Sequence, residues 1–453
     1  MIRPKFVILV FDLLLAYASF QLACLFRFGA LDSAGALGNG DLLKIVIYLV
    51  CVVFSTYFFQ LYDIQRYNSL GYVMRRSLFV AVATFFILSA LFYMFPGLQI
   101  GRGLLFISLL LTLFSQVGLR VLICKFTRAS RFATRILILG AGELAQKVAD
   151  IVPQDMNPHS YVGFVSCGKG EPLVPKERIV GNIKDLGLLI RDYRPHKVIV
   201  ALTERRGALP LKEIMHSKLR GVEVFDAPSY YEQQTGCLLV EDIQPSTFIY
   251  TDGFRLTPFM RSYKRIFDLI FSLIGICLAA PLLPFIYLLI KFDSPGPALY
   301  RQLRVGEREV EYFVYKFRTM CQDAEKESGA VWAQKDDPRV TRIGQLMRKT
   351  RIDEIPQLYN VLKGDMSFIG PRPERLAFVE RLKKTIPYYS TRHFIKPGVT
   401  GWAQVSYPYG ASEEDALEKL RYDLFYIKNY SILLDFKIIV DTVRVVASGF
   451  GGR

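Results

Sequence analysis

The amino-acid sequence predicts a membrane protein with three parts: a bundle of four transmembrane helices, an α/β domain, and a mainly α-helical domain with one helix that enters and leaves the membrane on the same face. Three observations support this. Four apolar stretches crowd the first 126 residues, strand-like runs alternate with helical ones from about residue 133, and prolines interrupt a fifth apolar stretch near residue 280. The predicted domain boundaries are 1–128, 129–255 and 256–453.

The four N-terminal stretches run from about Phe6 to Phe28, Leu43 to Tyr62, Leu78 to Pro96, and Leu104 to Phe126. A helix needs roughly 20 residues to cross a bilayer, so each stretch is long enough. The first has no small-residue cleavage site after it, which favours a retained helix over a signal peptide. Cations concentrate before span one, between spans two and three, and after span four: Arg3, Lys5, Arg66, Arg75, Arg76, Lys125, Arg128, Arg131 and Arg135. Both ends of the bundle are therefore predicted to face the cytoplasm.

Composition excludes several protein classes. The chain has 453 residues and a net charge of +16, with 22% charged and 51% hydrophobic residues, so disordered and collagen-like chains are excluded. Seven cysteines without a C-x-x-C pair and four scattered histidines indicate no disulfide framework or zinc site, and argue against a Ser/His/Asp hydrolase. No nucleic acid is expected as a partner.

The α/β domain is predicted from four strand-like runs, TRILILGAG, YVGFVS, HKVIVALT and GVEVFDAP. The first run ends in a G-x-G-x-x-A turn at Gly140, Gly142 and Ala145, which opens a helix-like segment. This context is typical of a Rossmann-like fold, in which the glycines let a phosphate approach a helix N-terminus. The acidic residue expected to bind a ribose is missing, because YVGFVS runs into Cys167, Gly168 and Lys169. Nucleotide binding, redox use and a purely structural turn all stay open.

The fifth apolar stretch, residues 266–290, has cations on both sides and prolines near its middle. Arg265 precedes it and Lys291 follows it, so both flanks have the character of a cytoplasmic face. Pro281 and Pro284 each remove a backbone donor. A helix that bends at Ala280-Pro281 and returns to the same face fits both facts, and an ordinary kinked transmembrane helix is the alternative. Beyond residue 300, basic amphipathic segments are typical of helices on an anionic membrane, or of a soluble domain with solvated basic faces.

The strongest candidate for chemistry is the basic stretch RKTRIDEIPQLYN, residues 348–360, followed at once by KGDMSFIGPRPE, residues 363–374. Its adjacent acids, Asp353 and Glu354, can divide the work on a phosphate between nucleophilic attack or Mg²⁺ binding and the positioning of the metal or a proton. The surrounding cations can neutralise charge on phosphate oxygens in the transition state. A surface pair of acids is the alternative interpretation of the same two residues.

Several separate motifs resemble those of the bacterial sugar transferases, the polyprenyl-phosphate hexose-1-phosphate transferases. In chain order these are KRIFDLIFSLIGICLAAPLLP, SPGPALYRQLRVG, YKFRTM, RIDEIPQLYNVLKGDMSFIGPRPE, IKPGVTGWAQV and YDLFYIKNYS. The resemblance covers residues 261 to about 450, and the N-terminal spans and α/β domain look like the large members of the family. The whole chain is also similar to exopolysaccharide sugar transferases associated with exosortase systems.

The resemblance implies that Asp353 attacks the sugar-bound phosphorus of a UDP-sugar, that UMP leaves, and that undecaprenyl phosphate accepts the sugar phosphate. Glu354 maps to the second essential acid, and Mg²⁺ to the dyad at Asp353 with Glu354 nearby. The residues that map to substrate binding are Lys316, Arg318, Arg348, Arg351, Asp365, Arg372 and Glu374. Ala280 and Pro281 map to the break of a re-entrant helix, where many members have Ser in place of Ala280.

The implied location is the bacterial inner membrane, as a multi-pass protein with its catalytic domain on the cytoplasmic face and membrane lipids around it. The implied pathway is the initiation of exopolysaccharide or other lipid-linked glycan synthesis. A nucleotide-sugar dehydratase or epimerase that uses the Gly140 turn is the alternative enzyme class. The hexose, the ligand of the α/β domain and the oligomeric state stay open, and a homodimer is compatible with the sequence.

Overall fold

The computed structural model describes residues 4–29, 41–62, 70–127, 135–152, 161–167, 172–202, 210–242, 253–321, 337–408, 410 and 412–448. These residues form two units, Met1–Phe225 and Asp226–Arg453. The second unit thus begins before the predicted boundary at residue 256. Among the flanking cations used to predict topology, Arg3, Arg66, Arg128 and Arg131 lie outside the described residues.

The first unit begins with four apolar helices, as predicted: α1 Pro4–Phe28, α2 Asp41–Phe58, α3 Leu70–Met94 and α4 Arg102–Thr127. By length and composition, α1, α3 and α4 can each cross a membrane, whereas the apolar part of α2, Leu42–Phe58, is shorter. Helix α3 begins eight residues before the predicted Leu78. The predicted stretch began after Arg75 and Arg76 because it was defined by apolar residues alone. The helix itself continues through both arginines, which cationic flanks of a membrane helix commonly contain.

Polar side chains link the helices in the interior of this bundle. Asp12 on α1 and Arg120 on α4 form a fully buried ion pair. Tyr48 Oη lies 2.8 Å from Thr112 Oγ1. Such groups are costly in lipid unless they are paired, so they fix which helices are neighbours.

The α/β part of the first unit is a five-stranded sheet in the order β3-β2-β1-β4-β5. Its strands are β1 Arg135–Leu139, β2 Tyr161–Ser166, β3 Ile179–Asn182, β4 Lys197–Val200 and β5 Glu223–Asp226. The helices between them are α5 Glu143–Ile151, α6 Leu186–Tyr193 and α7 Leu211–Leu219. The pairs β1–β2, β1–β4 and β2–β3 are parallel. Four strands agree with the predicted runs, and β3 was not predicted, because IVGN is too short to show a periodicity.

The second unit starts with α8 Ala227–Thr235 and continues into a long interrupted helix. Helix α9 spans Pro258–Ala279, a 3₁₀ turn spans Ala280–Leu282, and α10 spans Leu283–Asp293. Pro281 and Pro284 each lack a backbone N–H, and each ring clashes with the preceding turn, so the regular helix is interrupted here. On α9, Arg265 donates to the carbonyls of Val361 and Leu362, at 2.7 Å each. On α10, the buried Ile286 and Ile290 pack in one apolar cluster with Phe317 and Met347.

The rest of the second unit is helical with two small strand pairs. Its strands are β6 Leu299–Val305, β7 Glu311–Phe317, β8 Ser367–Ile369 and β9 Gly398–Thr400. Its helices are α11 Arg342–Thr350, α12 Gln357–Lys363, α13 Leu376–Thr385, α14 Trp402–Ser406, α15 Glu413–Lys428 and α16 Ile432–Ser448. Strands β6 and β7 form an antiparallel hairpin, and β8 pairs with β9 in parallel. The hairpin was not predicted, because its strands lack a strict alternation of polar and apolar residues and the stretch also suits a basic amphipathic segment.

Candidate active site

The adjacent acids Asp353 and Glu354 lie in the short connection between α11 and α12. Helix α11 begins at the cap Thr341, whose hydroxyl accepts from the Gly344 amide at 3.0 Å, and ends at Thr350. Arg351 then adopts the left-handed region, with φ 57°, which costs about 1 kcal/mol or more for a residue with a side chain. A 3₁₀ turn over Ile352–Glu354 follows and buries both acids, which keep only 8% and 6% exposure. The local backbone therefore turns two charged side chains inward at one point.

Three cations surround the Glu354 carboxylate. Arg372 Nη2 donates to Oε1 at 2.5 Å, Lys316 Nζ lies 3.6 Å from Oε1, and Arg351 Nη1 lies 3.6 Å from Oε2. Burial by itself would raise the pKa of Glu354, but the charges of Arg372, Lys316 and Arg351 hold that pKa well below its usual range. Glu354 is therefore a carboxylate at neutral pH, and the cluster around it keeps excess positive charge.

Asp353 differs sharply from its neighbour. No ion pair or hydrogen bond to its carboxylate occurs within the described part of the chain. Burial, followed by the charge of Glu354, raises the pKa of Asp353 to about 6, although Lys316 and Arg372 oppose the shift. A buried carboxylate without a partner is costly in the ground state, and this leaves it free to attack an electrophile.

Lys316, on β7, responds to the same environment in the opposite direction. Burial lowers the pKa of its ammonium group to about 8, against the opposing charge of Glu354. Its side chain as a whole keeps 23% exposure. The site therefore holds a carboxylic acid and an amine that both titrate near neutrality, as is common at functional sites.

Paired backbone segments hold the loop that presents Arg372. The Gly370 amide donates to the Thr400 carbonyl and the Gly398 amide to the Pro371 carbonyl, each at 2.8 Å. A Cβ on Gly370 would lie 2.4 Å from the Lys396 carbonyl oxygen, so only glycine fits there. Arg372 is therefore presented by a segment that packs backbone against backbone.

The remaining predicted residues lie at different places in the second unit. Arg348 donates to Thr319 Oγ1 at 2.9 Å, and its charge reaches Asp353, whose pKa it lowers. Asp365 pairs with Lys363 at 2.9 Å, and Glu374 pairs with Arg304 at 3.6 Å. Within the described residues, no contact joins Asp365 or Glu374 to the acids at 353 and 354.

Arg318 is buried beside the end of α10. Its Nη2 donates to the carbonyl of Ser294 at 2.6 Å and to the hydroxyl at 2.8 Å. Its Nε and Nη1 atoms are buried and have no partner among the described residues. Two free guanidinium donors suit a ligand with oxygen acceptors such as a phosphate.

The sequence did not predict a role for Arg392, which donates a hydrogen bond to the backbone of the Arg372 loop. Arg392 is 95% buried, and its Nη2 donates to the Arg372 carbonyl at 3.0 Å and to Asp423 Oδ2 at 2.8 Å. Its Nη1 donates to Tyr389 Oη at 2.6 Å. The sequence contains no local signal for this role, because the groups involved are 20 and 31 residues away along the chain.

In the other unit, the structure explains the Gly140 turn without a ligand. Gly140 has φ 129°, and a Cβ there would lie 2.4 Å from the Ala201 carbonyl oxygen, so glycine is required for packing after β4. Gly142 has open space around its Cβ position and caps α5, and Ala145 is fully buried in the domain. These contacts give Gly140 a structural role, and nucleotide binding and redox use stay predictions.

A family model described as "Bacterial sugar transferase" matches residues 259–449, the part of the chain that contains the dyad and the Arg372 loop. The UDP-N-acetylgalactosamine-undecaprenyl-phosphate N-acetylgalactosaminephosphotransferase of Aeromonas hydrophila is 47% identical over 197 residues, which cover 44% of this chain and 46% of that protein. The undecaprenyl-phosphate glucose phosphotransferase of Komagataeibacter xylinus is 33% identical over 326 residues, 70% of this chain and 60% of that protein.

The UDP-glucose:undecaprenyl-phosphate glucose-1-phosphate transferase of Escherichia coli (strain K12) is 41% identical over 314 residues, 68% of this chain and 67% of that protein. This chain thus spans about half to two thirds of the length of these three relatives. None of the three is named as a dehydratase or epimerase, so the alternative enzyme class has no support. With its family motifs at the dyad and the Arg372 loop, and with the Escherichia coli relative matched over 67% of its length at 41% identity, the chain belongs to the bacterial sugar transferase family.

Proposed function

We propose that this protein is a membrane phosphosugar transferase that moves a hexose-1-phosphate from a UDP-sugar to undecaprenyl phosphate and so starts the synthesis of a lipid-linked glycan such as an exopolysaccharide. The observation that supports this best is the contrast between the two acids. Asp353 is buried and has no partner among the described residues, whereas three cations engage Glu354. The named relatives transfer sugar phosphates to undecaprenyl phosphate, which is the reaction that such a site suits.

In the first step, an Asp353 carboxylate oxygen attacks the phosphorus that bears the sugar. The bond from this phosphorus to the bridging oxygen of the diphosphate breaks, and UMP leaves with the electron pair. In the second step, a phosphate oxygen of undecaprenyl phosphate attacks the same phosphorus, and the Asp353 carboxylate is released. Covalent catalysis splits the transfer, so the nucleotide and the lipid need not occupy the site together.

The cations have a separate role in both steps. Lys316, Arg351 and Arg372 carry three positive charges against the one negative charge of Glu354. This surplus can accept the negative charge of a diphosphate and stabilise the charge that develops on the leaving phosphate. Glu354 keeps the three side chains gathered before substrate binds, so less reorganisation is required on binding.

Magnesium fits this site only as an ion shared with the substrate. Among the described residues there is no group of three or more His, Cys, Asp or Glu side chains that could hold a metal. Mg²⁺ often uses one or two carboxylates together with substrate phosphates and waters, and Asp353, with Glu354 nearby, could supply these carboxylates. When bound, Mg²⁺ would neutralise phosphate charge and stabilise the leaving group.

We further propose that the interrupted helix is re-entrant. Helix α9 contacts α12 through Arg265, and α10 packs on α11 through Met347, so both arms pack on helices that directly flank the dyad. A straight helix would separate Arg265 and Ile290 by about 37 Å along its axis. The outward-facing residues of both arms are large and apolar, including Ile270, Leu273, Phe285 and Phe292. A re-entrant anchor of this kind would hold the dyad at the surface of the lipid, where a lipid phosphate and a soluble nucleotide can meet.

The other parts of the chain fit a bacterial inner-membrane protein whose second unit faces the cytoplasm, where nucleotide sugars are made. Helices α1, α3 and α4 of the N-terminal bundle are long and apolar enough to add membrane spans to the anchor formed by the interrupted helix. The strand order β3-β2-β1-β4-β5, with three parallel pairs, supports a Rossmann-like fold for the α/β domain. The relatives are named for different sugars, N-acetylgalactosamine and glucose, so the transferred hexose is identified by the assay below.

The test uses the full chain in nanodiscs with a panel of UDP-sugars, Mg²⁺ and undecaprenyl phosphate. Release of UMP, with a stoichiometric burst in the absence of lipid, is expected. Asp353→Asn should abolish the burst while UDP-sugar still binds, and Glu413→Gln, an exposed acid of the same unit, is the matched control. Mass spectrometry should find the sugar phosphate on the peptide that contains Asp353. Release of UDP in place of UMP, or a normal burst from Asp353→Asn, would contradict the proposal.

A further inference from the structure

Residues 227–242 precede the part of the chain that the family model matches, yet they pack inside the second unit. We call this segment, α8 and the turn after it, the N-terminal brace. Glu232 on α8 accepts from Lys428 Nζ at 2.6 Å and from Asn429 Nδ2 at 2.8 Å. The Leu238 amide donates to the Arg421 carbonyl at 3.1 Å. The brace is therefore fastened along the whole C-terminal half of α15.

Apolar contacts fasten the brace as well. Leu238 and Val240 are buried and belong to the same apolar cluster as Trp402, Leu424 and Ile427. Two buried aliphatic side chains contribute several kcal/mol of burial free energy at about 25 cal/mol per Å². The brace thus completes the core of the second unit, although it lies outside the residues matched by the family model.

The brace contacts α14 at the Trp402 indole. Trp402 Nε1 donates to the Gly236 carbonyl at 2.7 Å. Gly236 has φ 70°, and a Cβ there would lie 3.1 Å from Trp402 Cζ2, so the left-handed turn and the tight packing both favour glycine. The indole is thereby fixed in position and orientation at the first residue of α14.

The Trp402 indole belongs to a segment that packs against the Arg372 loop. Gly401 precedes Trp402, and a Cβ on Gly401 would lie 2.1 Å from the Gly370 carbonyl oxygen. Gly370 opens the loop whose Arg372 contacts Glu354. Because these two backbone segments pack without an intervening side chain, the position of Trp402 is coupled to the backbone that carries Arg372.

We infer that the N-terminal brace is a positioning element of the transferase site: through the Gly236–Trp402 hydrogen bond and the Gly401–Gly370 contact, it sets the placement of Arg372 against the dyad. Trp402 and Gly236 are accordingly positioning residues and touch no substrate. The brace begins at Ala227, directly after β5, so the α/β domain is covalently joined to an active-site support without a spacer. This inference rests on the proposed function.

The experiment is a double-mutant cycle on the UMP burst of the full chain in nanodiscs. Trp402→Phe keeps the ring and removes the indole donor. It should slow the burst about fivefold, the value of one neutral hydrogen bond. In an Arg372→Ala background, the same change should have no further effect, because the loop no longer presents the group being positioned. Glu413→Gln, which changes a half-exposed ion pair with Arg381 outside the brace, is the matched control and should leave the rate unchanged.

An equal slowing by Trp402→Phe in both backgrounds would overturn the inference, because a general loss of folding acts regardless of Arg372. Should Trp402→Phe fail to fold, Glu232→Gln, which weakens the attachment to Lys428, enters the same cycle with the same two outcomes. A failure of the proposed function gives a different result from a failure of this inference. In that case the unmodified protein would release no UMP, or Arg372→Ala would release UMP at the normal rate. Either result would overturn both proposals.

Discussion

The substitution Lys316→Arg should remove the alkaline limb of the pH–rate profile and leave the acid limb in place. Asp353 attacks only as a carboxylate, and its pKa is raised by burial and by Glu354 to about 6. Lys316 neutralises phosphate only as an ammonium, and burial lowers its pKa to about 8. The rate of the first step should therefore be highest between about pH 6 and pH 8 and fall on both sides.

The magnitudes follow from these shifts. A rise of the Asp353 pKa from 3.8 to about 6 means that its charged form is less favourable by about 3 kcal/mol than in water. Each pH unit below the acid limb, or above the alkaline limb, should reduce the rate about tenfold. Arginine stays charged above pH 12, so the variant should keep its plateau rate to about pH 10 or beyond. Because Asp353 and Glu354 interact closely, the acid limb belongs to the pair.

The assay is the single-turnover burst of UMP without undecaprenyl phosphate, since the acceptor phosphate would itself titrate in this range. Lys383→Arg, a lysine of the same unit paired with Glu309, is the control and should keep both limbs. A profile of Lys316→Arg that still falls above pH 8 would refute the assignment of the alkaline limb. A flat profile of the unmodified protein between pH 5 and pH 7 would refute the raised pKa of Asp353.

Three further substitutions test the support of the site. Gly370→Ala should abolish the UMP burst in a folded protein, because the new Cβ would lie 2.4 Å from a backbone carbonyl oxygen. Asp423→Asn should destabilise the second unit by about 3–5 kcal/mol in a thermal melt in detergent, because it leaves the buried Arg392 charge unpaired. Asp268→Ala should cost about 2–4 kcal/mol in the same melt, because Asp268 Oδ1 accepts from two donors of β8 at 2.8 and 2.9 Å.

Each of these has a matched comparison. Gly142→Ala adds a Cβ in open space and should be neutral, and a normal burst from Gly370→Ala would contradict the close packing of the loop. Glu413→Gln weakens the exposed pair with Arg381 and should change the melt by less than about 1 kcal/mol. If Asp423→Asn also lowered the stability by less than about 1 kcal/mol, Arg392 would have found another partner. Asp268→Asn keeps an acceptor oxygen and should retain most of the stability that Asp268→Ala loses.

The sequence predicted those parts of the fold whose signals are local. The four apolar helices and four of the sheet strands follow from hydrophobic runs, and the turn at Gly140 follows from its glycines. The hairpin of β6 and β7 was missed, because its strands, LYRQLRV and EYFVYKF, show no strict alternation of polar and apolar residues. Helix α2 was predicted to reach Tyr62 but ends at Phe58, where Gln60 turns the chain with φ 61°.

The candidate site was predictable through its motifs and much less through its geometry. That Lys316, Arg351 and Arg372 meet at one carboxylate follows from three elements that fold together, and no spacing in the sequence contains that information. The difference between Asp353 and Glu354 depends on which of two adjacent acids faces the cations. Arg392 and the N-terminal brace were not predicted for the same reason: each acts on the Arg372 loop through contacts between residues that are far apart in the sequence.

The buried pair of Asp12 and Arg120 has a consequence for how the protein is made. The two residues are 108 positions apart, so α1 is synthesised well before its partner on α4. A bare charge in the middle of a membrane helix costs about 2.5–3.5 kcal/mol on insertion scales. We expect that α1 stays at the insertion machinery until α4 arrives, and that ribosome-stalled chains lacking α4 crosslink to that machinery whereas stalled Asp12→Leu chains escape into lipid. The ion pair would then act as a checkpoint of biogenesis, which releases the bundle to the bilayer only when its last helix has been delivered.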